Sequence, residues 1–279
     1  MSDIRIYNGK FLSPENPFNG HQSRAFRYGD GIFETMRVVA GKILFADDHA
    51  NRLHTGCEVL NLGLPAKNIR AFLEKQTALW IASGGSPNAR IRISVFRNEG
   101  GYYRPKTNEA SWLVEGTQMS NEPYTINEEP YEVDVLHGQF KGTGILSNLK
   151  SLNCLLYVYG ALEAERNQLN DVIIQNQQKE LLESVSSSLL IYSGNQVITS
   201  PLSSGAIDSI MRRNVMRIVA QSGLTVVESP LFVNDLLNAK EIWLCNTIRG
   251  IQPVTRFRNK HYSNTQATRV MELLNEECF

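Results

Sequence analysis

The 279-residue chain is short of the features that mark membrane, nucleic-acid and secreted proteins. Its 28 Lys+Arg cancel its 28 Asp+Glu, so there is no electrostatic footprint for nucleic acid or an anionic membrane. No apolar run approaches the roughly 18 residues of a membrane span. The opening MSDIRIYNGK carries an acid at Asp3 and no long apolar stretch, which does not read as a secretion signal. Four cysteines, Cys57, Cys154, Cys245 and Cys278, lack C-x-x-C spacing and read as reduced thiols of a cytoplasmic protein. No repeat or low-complexity tract is present, which excludes solenoids and propellers. Nor is there a metal-ligand cluster, a Walker loop or a G-x-S-x-G elbow, so no metal is expected.

What is present is a composition that can fill cores: 42% hydrophobic residues, 9% aromatic. The length fits one large or two modest domains. In the first third, a turn at Asn8-Gly9 follows Ile4, Ile6 and Tyr7, and a strand Phe33–Val39 closes at Ala40-Gly41. Asp47 or Asp48 is placed to cap a helix bearing Leu53, Cys57 and Leu60. A second helix covers Ile69, Phe72, Leu73, Leu79 and Trp80, and the alternation of Ile91, Ile93 and Val95 is a half-buried strand. The polar, proline-bearing string GTQMSNEPYTINEEP then interrupts the pattern. We expect an N-terminal α+β domain over 1–118, a linker over 119–126 and a C-terminal domain over 127–279. The latter alternates strands (near 131–136, 172–175 and 242–245) with helices (near 152–167 and 209–221), and ends in a helix with Ala267, Val270, Met271 and Leu274 on one face. The fold class is α/β, or mixed α+β.

Several segments could carry chemistry. RYGDGIFETMRV, residues 27–38, reads on spacing alone as a tight turn entering a strand. Lys150 lies among Leu146, Leu149, Leu152 and Leu155. It is either a surface lysine snorkelling at a helix start, or a partly desolvated amine able to hold a carbonyl as a Schiff base. Glu183, between Leu181-Leu182 and a serine run, is either an exposed turn residue or a buried carboxylate in need of a partner. The loop SPLSSGAIDSIMRRN runs into a helix whose N-terminus is a possible phosphate seat, or is simply capped by Asp208 or Ser209. Thr247, in CNTIRG, stands at the mouth of another strand.

In order and spacing, R-x-F-R-Y-G-D-G-I-F-E-T, H-A-N-R-L (His49–Leu53), the Lys150 segment, E-S-V-S-S-S from Glu183, S-I-M-R (Ser209–Arg212) and N-T-I-R-G-I-Q-P-V (Asn246–Val254) resemble the class IV aminotransferases, the fold-type IV enzymes that use pyridoxal 5′-phosphate. The resemblance implies a two-domain fold with the cofactor at the domain junction. It gives Lys150 the Schiff base and the proton shuttle. Glu183 would pair with the pyridine nitrogen, keeping the ring an electron acceptor. Arg52, the backbone N–H groups of Ile210 and Met211, and Thr247 would hold the phosphate. Ser187 and Ser188 would lie near the cofactor, and Phe33 in the substrate pocket. The family's threonine at the phosphate helix is here Met211, and Asp208 beside a phosphate would repel it unless turned away.

Within the family, K-S-L-N-C-L is similar to the K-x-L-N-x-L of aminodeoxychorismate lyases and D-amino acid aminotransferases. The tyrosine that branched-chain aminotransferases place five residues after the lysine is here Leu155, and FRNEGGYYRP lacks the histidine of a D-amino acid carboxylate trap. The resemblance therefore leans to a 4-amino-4-deoxychorismate lyase releasing pyruvate and 4-aminobenzoate. A branched-chain or D-amino acid transaminase is the alternative, and a non-catalytic scaffold a more distant one. Arg104 is a candidate for a substrate carboxylate. The resemblance also implies a homodimer with a small-molecule amino substrate.

Overall fold

A computed structural model describes residues 4–12, 20–63 and 66–279; Asp3 lies outside them. The chain divides into two compact units, Met1–Glu122 with Leu149–Asn153, and Pro123–Asn148 with Cys154–Phe279. Lys150 therefore belongs to the first unit, although most of its sequence neighbours belong to the second. Both units mix strands and helices, as the α+β reading of the sequence has it.

The first unit contains β1 (Arg5–Tyr7), β2 (Lys10–Phe11), α1 (Arg24–Tyr28), β3 (Gly31–Val39), β4 (Lys42–Ile43), α2 (Ala46–Val59), α3 (Ile69–Ala82), β5 (Ala89–Arg97) and β6 (Ala110–Gln118). Its strands form one sheet in the order β2-β1-β6-β5-β3-β4. Alternation along β5 sends Ile91, Ile93 and Val95 to full burial against Leu53, Cys57, Phe72 and Leu73 of α2 and α3. The sequence pattern missed β6, whose outer residues are only half-buried. The start of α2 also differs from expectation. Its N-cap is Phe45, left-handed at φ 56° with no side-chain cap bond, while Asp47 and Asp48 occupy the first turn, where their charge meets the positive end of the helix dipole.

The second unit contains β7 (Glu132–Val135), α4 (Leu155–Arg166), β8 (Asp171–Gln175), β9 (Leu181–Ser184), β10 (Ser188–Ser193), β11 (Gln196–Thr199), α5 (Ile210–Gln221), β12 (Thr225–Glu228), α6 (Val233–Asn238), β13 (Glu241–Asn246), β14 (Gly250–Val254), β15 (Arg256–Phe257), β16 (Lys260–His261) and α7 (Thr265–Cys278). Its strands form one branched sheet: β12-β11-β10-β9-β8-β7-β15-β16, with β13 pairing β10 and β14. Both faces of β8, β10 and β13 are mostly buried, which explains their near-continuous runs of Ile, Leu and Val. Glu183 and its neighbours form β9, a fully buried strand, not a turn. Ala267, Val270, Met271 and Leu274 form the buried face of α7, as their spacing predicts.

Candidate active site

In the first unit, the Lys150 segment is built onto the start of β3. Phe33 N donates to the Lys150 carbonyl at 2.9 Å, and Leu152 N donates to the Gly31 carbonyl at 3.0 Å. Ser151 makes an antiparallel bridge to Ile32. Lys150 thus precedes α4 in extended backbone and does not sit at a helix start.

The two glycines of Y-G-D-G make room for this docking. Gly29 caps α1 in the left-handed region, φ 63°, and a Cβ there would fall 2.4 Å from the Asn153 Oδ1. A Cβ on Gly31 would fall 2.6 Å from the Val95 carbonyl oxygen and 2.8 Å from Leu152 Cδ1. Asn153 Nδ2 donates back to the Gly29 carbonyl at 3.1 Å. The strings Y-G-D-G and K-S-L-N are therefore mates in three dimensions. Asp30, between the glycines, accepts from Arg24 Nε at 2.7 Å and from Arg97 Nε at 3.0 Å, which fixes the turn.

Lys150 Nζ stands 4.7 Å from the centroid of the Phe33 ring. The Arg92 guanidinium lies over the same ring at 3.6 Å, and its Nε donates to Ser94 Oγ at 3.2 Å. Phe33 is thus contacted by two cations. Arg92 escaped the sequence reading because a strand arginine alternating with isoleucines resembles an ordinary solvent-facing residue. Arg104 is exposed, in the connection between β5 and β6. That connection turns its Gly100, Gly101, Tyr102 and Tyr103 carbonyls toward Arg24.

Arg52 extends from α2 to Glu34 on β3 in a two-point fork: Nε donates to Oε1 at 2.7 Å and Nη2 to Oε2 at 2.6 Å. One turn earlier, the buried His49 contacts Glu34 Oε2 through Nδ1 at 2.6 Å. Burial alone would raise the Glu34 pKa, but the Arg52 guanidinium and His49 overrule it and hold it at about 2. Burial pushes His49 down despite Glu34, so the ring is neutral, with its proton on Nδ1 facing the carboxylate. His49 Nε2 is buried with no hydrogen-bond partner among the described residues. The Arg52–Glu34 pair carries no net charge. As a phosphate clamp, Arg52 would therefore act more through directed N–H groups than through excess positive charge.

The second unit supplies the other predicted residues. Glu183 is 3% exposed. Its Oε1 accepts from Lys141 Nζ at 2.5 Å and from Tyr157 OH at 2.7 Å, and its Oε2 accepts from Ile207 N at 2.8 Å. Ser188 stands opposite Glu183 in the β9–β10 register. Ser187 Oγ accepts from Asn246 Nδ2 at 2.9 Å, tying the serine run to the N-T-I-R-G turn. Asn246 Oδ1 accepts from the N–H groups of Ile248 and Arg249, and the Thr247 carbonyl accepts from Tyr124 OH. The buried Ile210 and Met211 open α5, whose N-cap Ser209 accepts from Arg212 N. As first-turn residues, their N–H groups have no acceptor within the helix. Asp208 is paired with Arg213 at 3.0 Å, which offsets the charge that would oppose a phosphate. Lys141 and Tyr157 escaped the sequence reading: Lys141 lies in a glycine-bearing coil, and Tyr157 is seven residues past Lys150, not five.

Each unit by itself carries groups whose chemistry suits pyridoxal phosphate: in the first, an amine beside an aromatic ring and an arginine held at two points; in the second, a buried carboxylate with one oxygen partly open and the first-turn N–H groups of a helix. Residues 31–257 match the family described as amino-transferase class IV. The chain belongs to the class IV aminotransferases. As a member of these pyridoxal-phosphate enzymes, it is 25% identical over 240 residues to an aminodeoxychorismate lyase of Vibrio harveyi, which covers 83% of this chain and 84% of the relative. Its fold matches a branched-chain aminotransferase from Thermoproteus uzoniensis crystallised with norvaline: TM-score 0.87, 19% identity, 99% of this chain and 97% of the other covered. It also matches a hypothetical aminotransferase from Mycobacterium tuberculosis in a PLP-bound form: TM-score 0.81, 19% identity, coverage 99% and 98%. Among the described residues, no helix is long and apolar enough to cross a membrane. None of their His, Cys, Asp and Glu side chains form a group of three or more that could hold a metal ion.

Proposed function

We propose that this class IV enzyme binds pyridoxal 5′-phosphate and acts as a 4-amino-4-deoxychorismate lyase, yielding pyruvate and 4-aminobenzoate. The observation that carries the cofactor reading is Glu183, a buried carboxylate paired with Lys141 and with an oxygen left to accept a further N–H. The lyase reading is supported by the Vibrio harveyi relative. It is supported further by Leu155, a largely exposed residue where a branched-chain enzyme would carry a tyrosine.

When bound, the cofactor supplies a conjugated ring that takes up the electron pair left when a substrate C–H bond breaks. Lys150 would hold the cofactor and then, with its amine free, take the proton from the substrate carbon and return it as pyruvate departs. Glu183 would face the ring nitrogen; Arg52, the N–H groups of Ile210 and Met211, and Thr247 would hold the phosphate; Ser187 and Ser188 would flank the site. Phe33 would wall the substrate pocket. Two arginines of the first unit are candidates for a substrate carboxylate: Arg104 on its exposed loop, and Arg92, which shares the Phe33 ring with Lys150. Arg92→Ala raising KM more than Arg104→Ala would assign the role to Arg92.

The purified enzyme given 4-amino-4-deoxychorismate should release pyruvate with no 2-oxo acid added. Product that forms only with an amino donor and a 2-oxo acid together would make it a transaminase. Lys150→Ala should abolish both the turnover and the amine-dependent change in cofactor absorbance. A protein that stays colourless with added cofactor would support the scaffold reading. We further propose a cytoplasmic homodimer. Leu155, Val158 and Leu162 form an exposed apolar stripe along α4, and Ile145 and Leu146 are exposed in the turn before it. Surface of this kind marks association, and light scattering on the purified chain tests it.

A further inference from the structure

Lys141 is nine-tenths buried, and its amine makes one ion pair, with Glu183 Oε1 at 2.5 Å. A long, strongly hydrated amine is costly to bury unless paired. This one is anchored through its backbone as well: Lys141 N donates to the Gln175 carbonyl at 3.0 Å, and the residue bridges Asn176 beyond the end of β8. Close approach of two coils holds the arrangement. Gly205, at φ 106°, comes so near the coil after Lys141 that a Cβ would fall 2.6 Å from the Gly142 carbonyl oxygen. Two residues later, Ile207 N meets the other oxygen of Glu183.

The carboxylate is thus served asymmetrically. An ionised carboxylate has about four acceptor sites. Both sites of Oε1 are taken by Lys141 and Tyr157, and one site of Oε2 by Ile207 N. Burial and the Glu183 charge push the Tyr157 phenol well above its ordinary value, so it is a permanent donor. On the neighbouring strands, Glu183 stands opposite Ile174 and Ser188, neither of which titrates. Nearby titratable groups among the described residues are Asp171, which accepts from the Val185 N–H at 3.1 Å, and Cys154, the N-cap of the helix that carries Tyr157.

We propose that Lys141 is a positioning residue that keeps Glu183 ionised and, with Tyr157, turns the remaining Oε2 site to a protonated ring nitrogen. This rests on the pyridoxal-phosphate reading above. Lys141 Nζ stands 2.5 Å from Oε1 of the carboxylate. Its charge therefore favours the arrangement with the proton on the ring over the one with the proton on the carboxyl. Without it, the proton should pass from ring to carboxyl, and the ring becomes the weaker electron acceptor.

Two measurements decide this. Denaturation of the cofactor-free protein forms a double-mutant cycle from Lys141→Met and Glu183→Gln. A buried ion pair predicts that the double variant unfolds at a denaturant midpoint no lower than Lys141→Met alone, because the stranded charge is gone. In the loaded enzyme, the 15N shift of labelled cofactor and its absorbance are followed against pH. Lys141→Met should lower the midpoint of ring-nitrogen protonation by about one unit or more, and Lys141→Arg should restore it. Additive losses in the cycle, or a Lys141→Met enzyme that titrates like the wild type, would overturn the proposal while leaving the cofactor reading intact. A wild-type protein that takes up no cofactor would overturn both.

Discussion

Each unit buries one carboxylate beside a cation and a second donor, and the two are wired in opposite senses. In the first unit, Glu34 spends both oxygens on Arg52 and one again on His49. Here the carboxylate is the support, and the arginine is anchored on it at two points. In the second unit, Lys141 and Tyr157 crowd one oxygen of Glu183 and leave the other partly open. There the cation is the support and the carboxylate is presented. The same pair of charges is thus built with both carboxylate oxygens engaged by the arginine in one unit, and with one carboxylate oxygen left partly open in the other.

The sharpest way to break this comparison is to remove Glu34. Glu34→Ala leaves Arg52 and His49 buried without their acceptor, and a loss of about 3–5 kcal/mol is expected in urea denaturation. A loss under about 1 kcal/mol would mean that Arg52 finds another support. Next in size is a pH effect. The Glu34 pKa is held at about 2, below its ordinary 4.5, so its contribution is fully present above pH 4.5 and is lost as pH falls toward 2. About 3 kcal/mol should disappear over that window, and Glu34→Gln should remove this part of the acid slope. His49 adds a loss in the same direction. Its buried form resists protonation, so stability falls as pH drops below the ordinary histidine range near 6.5.

A third variant tests the docking of the lysine segment. In Gly31→Ala, the new Cβ meets Val95 and Leu152, and overpacking of this kind costs about 1–3 kcal/mol. Because Leu152 is two residues from Lys150, turnover should fall by more than the stability loss explains, as read by activity at a temperature where the variant is fully folded. The smallest effect belongs to Leu155→Ser on the largely exposed start of α4. It should change monomer stability by no more than about 0.5 kcal/mol, while lowering the apparent mass if that stripe is the dimer contact.

Much of the fold was legible because burial imposes periods: Ile91, Ile93 and Val95 on β5, and Ala267, Val270, Met271 and Leu274 on α7. β9 was not, since a four-residue strand buried on both faces and carrying a glutamate and a serine has no alternation to read. β6 was missed for the opposite reason, its outer residues being only half-buried. The motif residues could be picked out one by one, but their supports could not. Nothing local in the sequence ties Arg52 to Glu34 as its acceptor, or Glu183 to Lys141 and Tyr157.

By itself, the sequence determined the family and the mixed α+β class, because those follow from residue type, order and local periodicity. Tertiary structure alone decided that Y-G-D-G receives K-S-L-N, that Phe33 lies under Arg92, and which oxygen of each buried carboxylate is spoken for. Hydrogen bonds and ion pairs between residues dozens of positions apart depend on distances of a few ångströms, and only the folded backbone sets those.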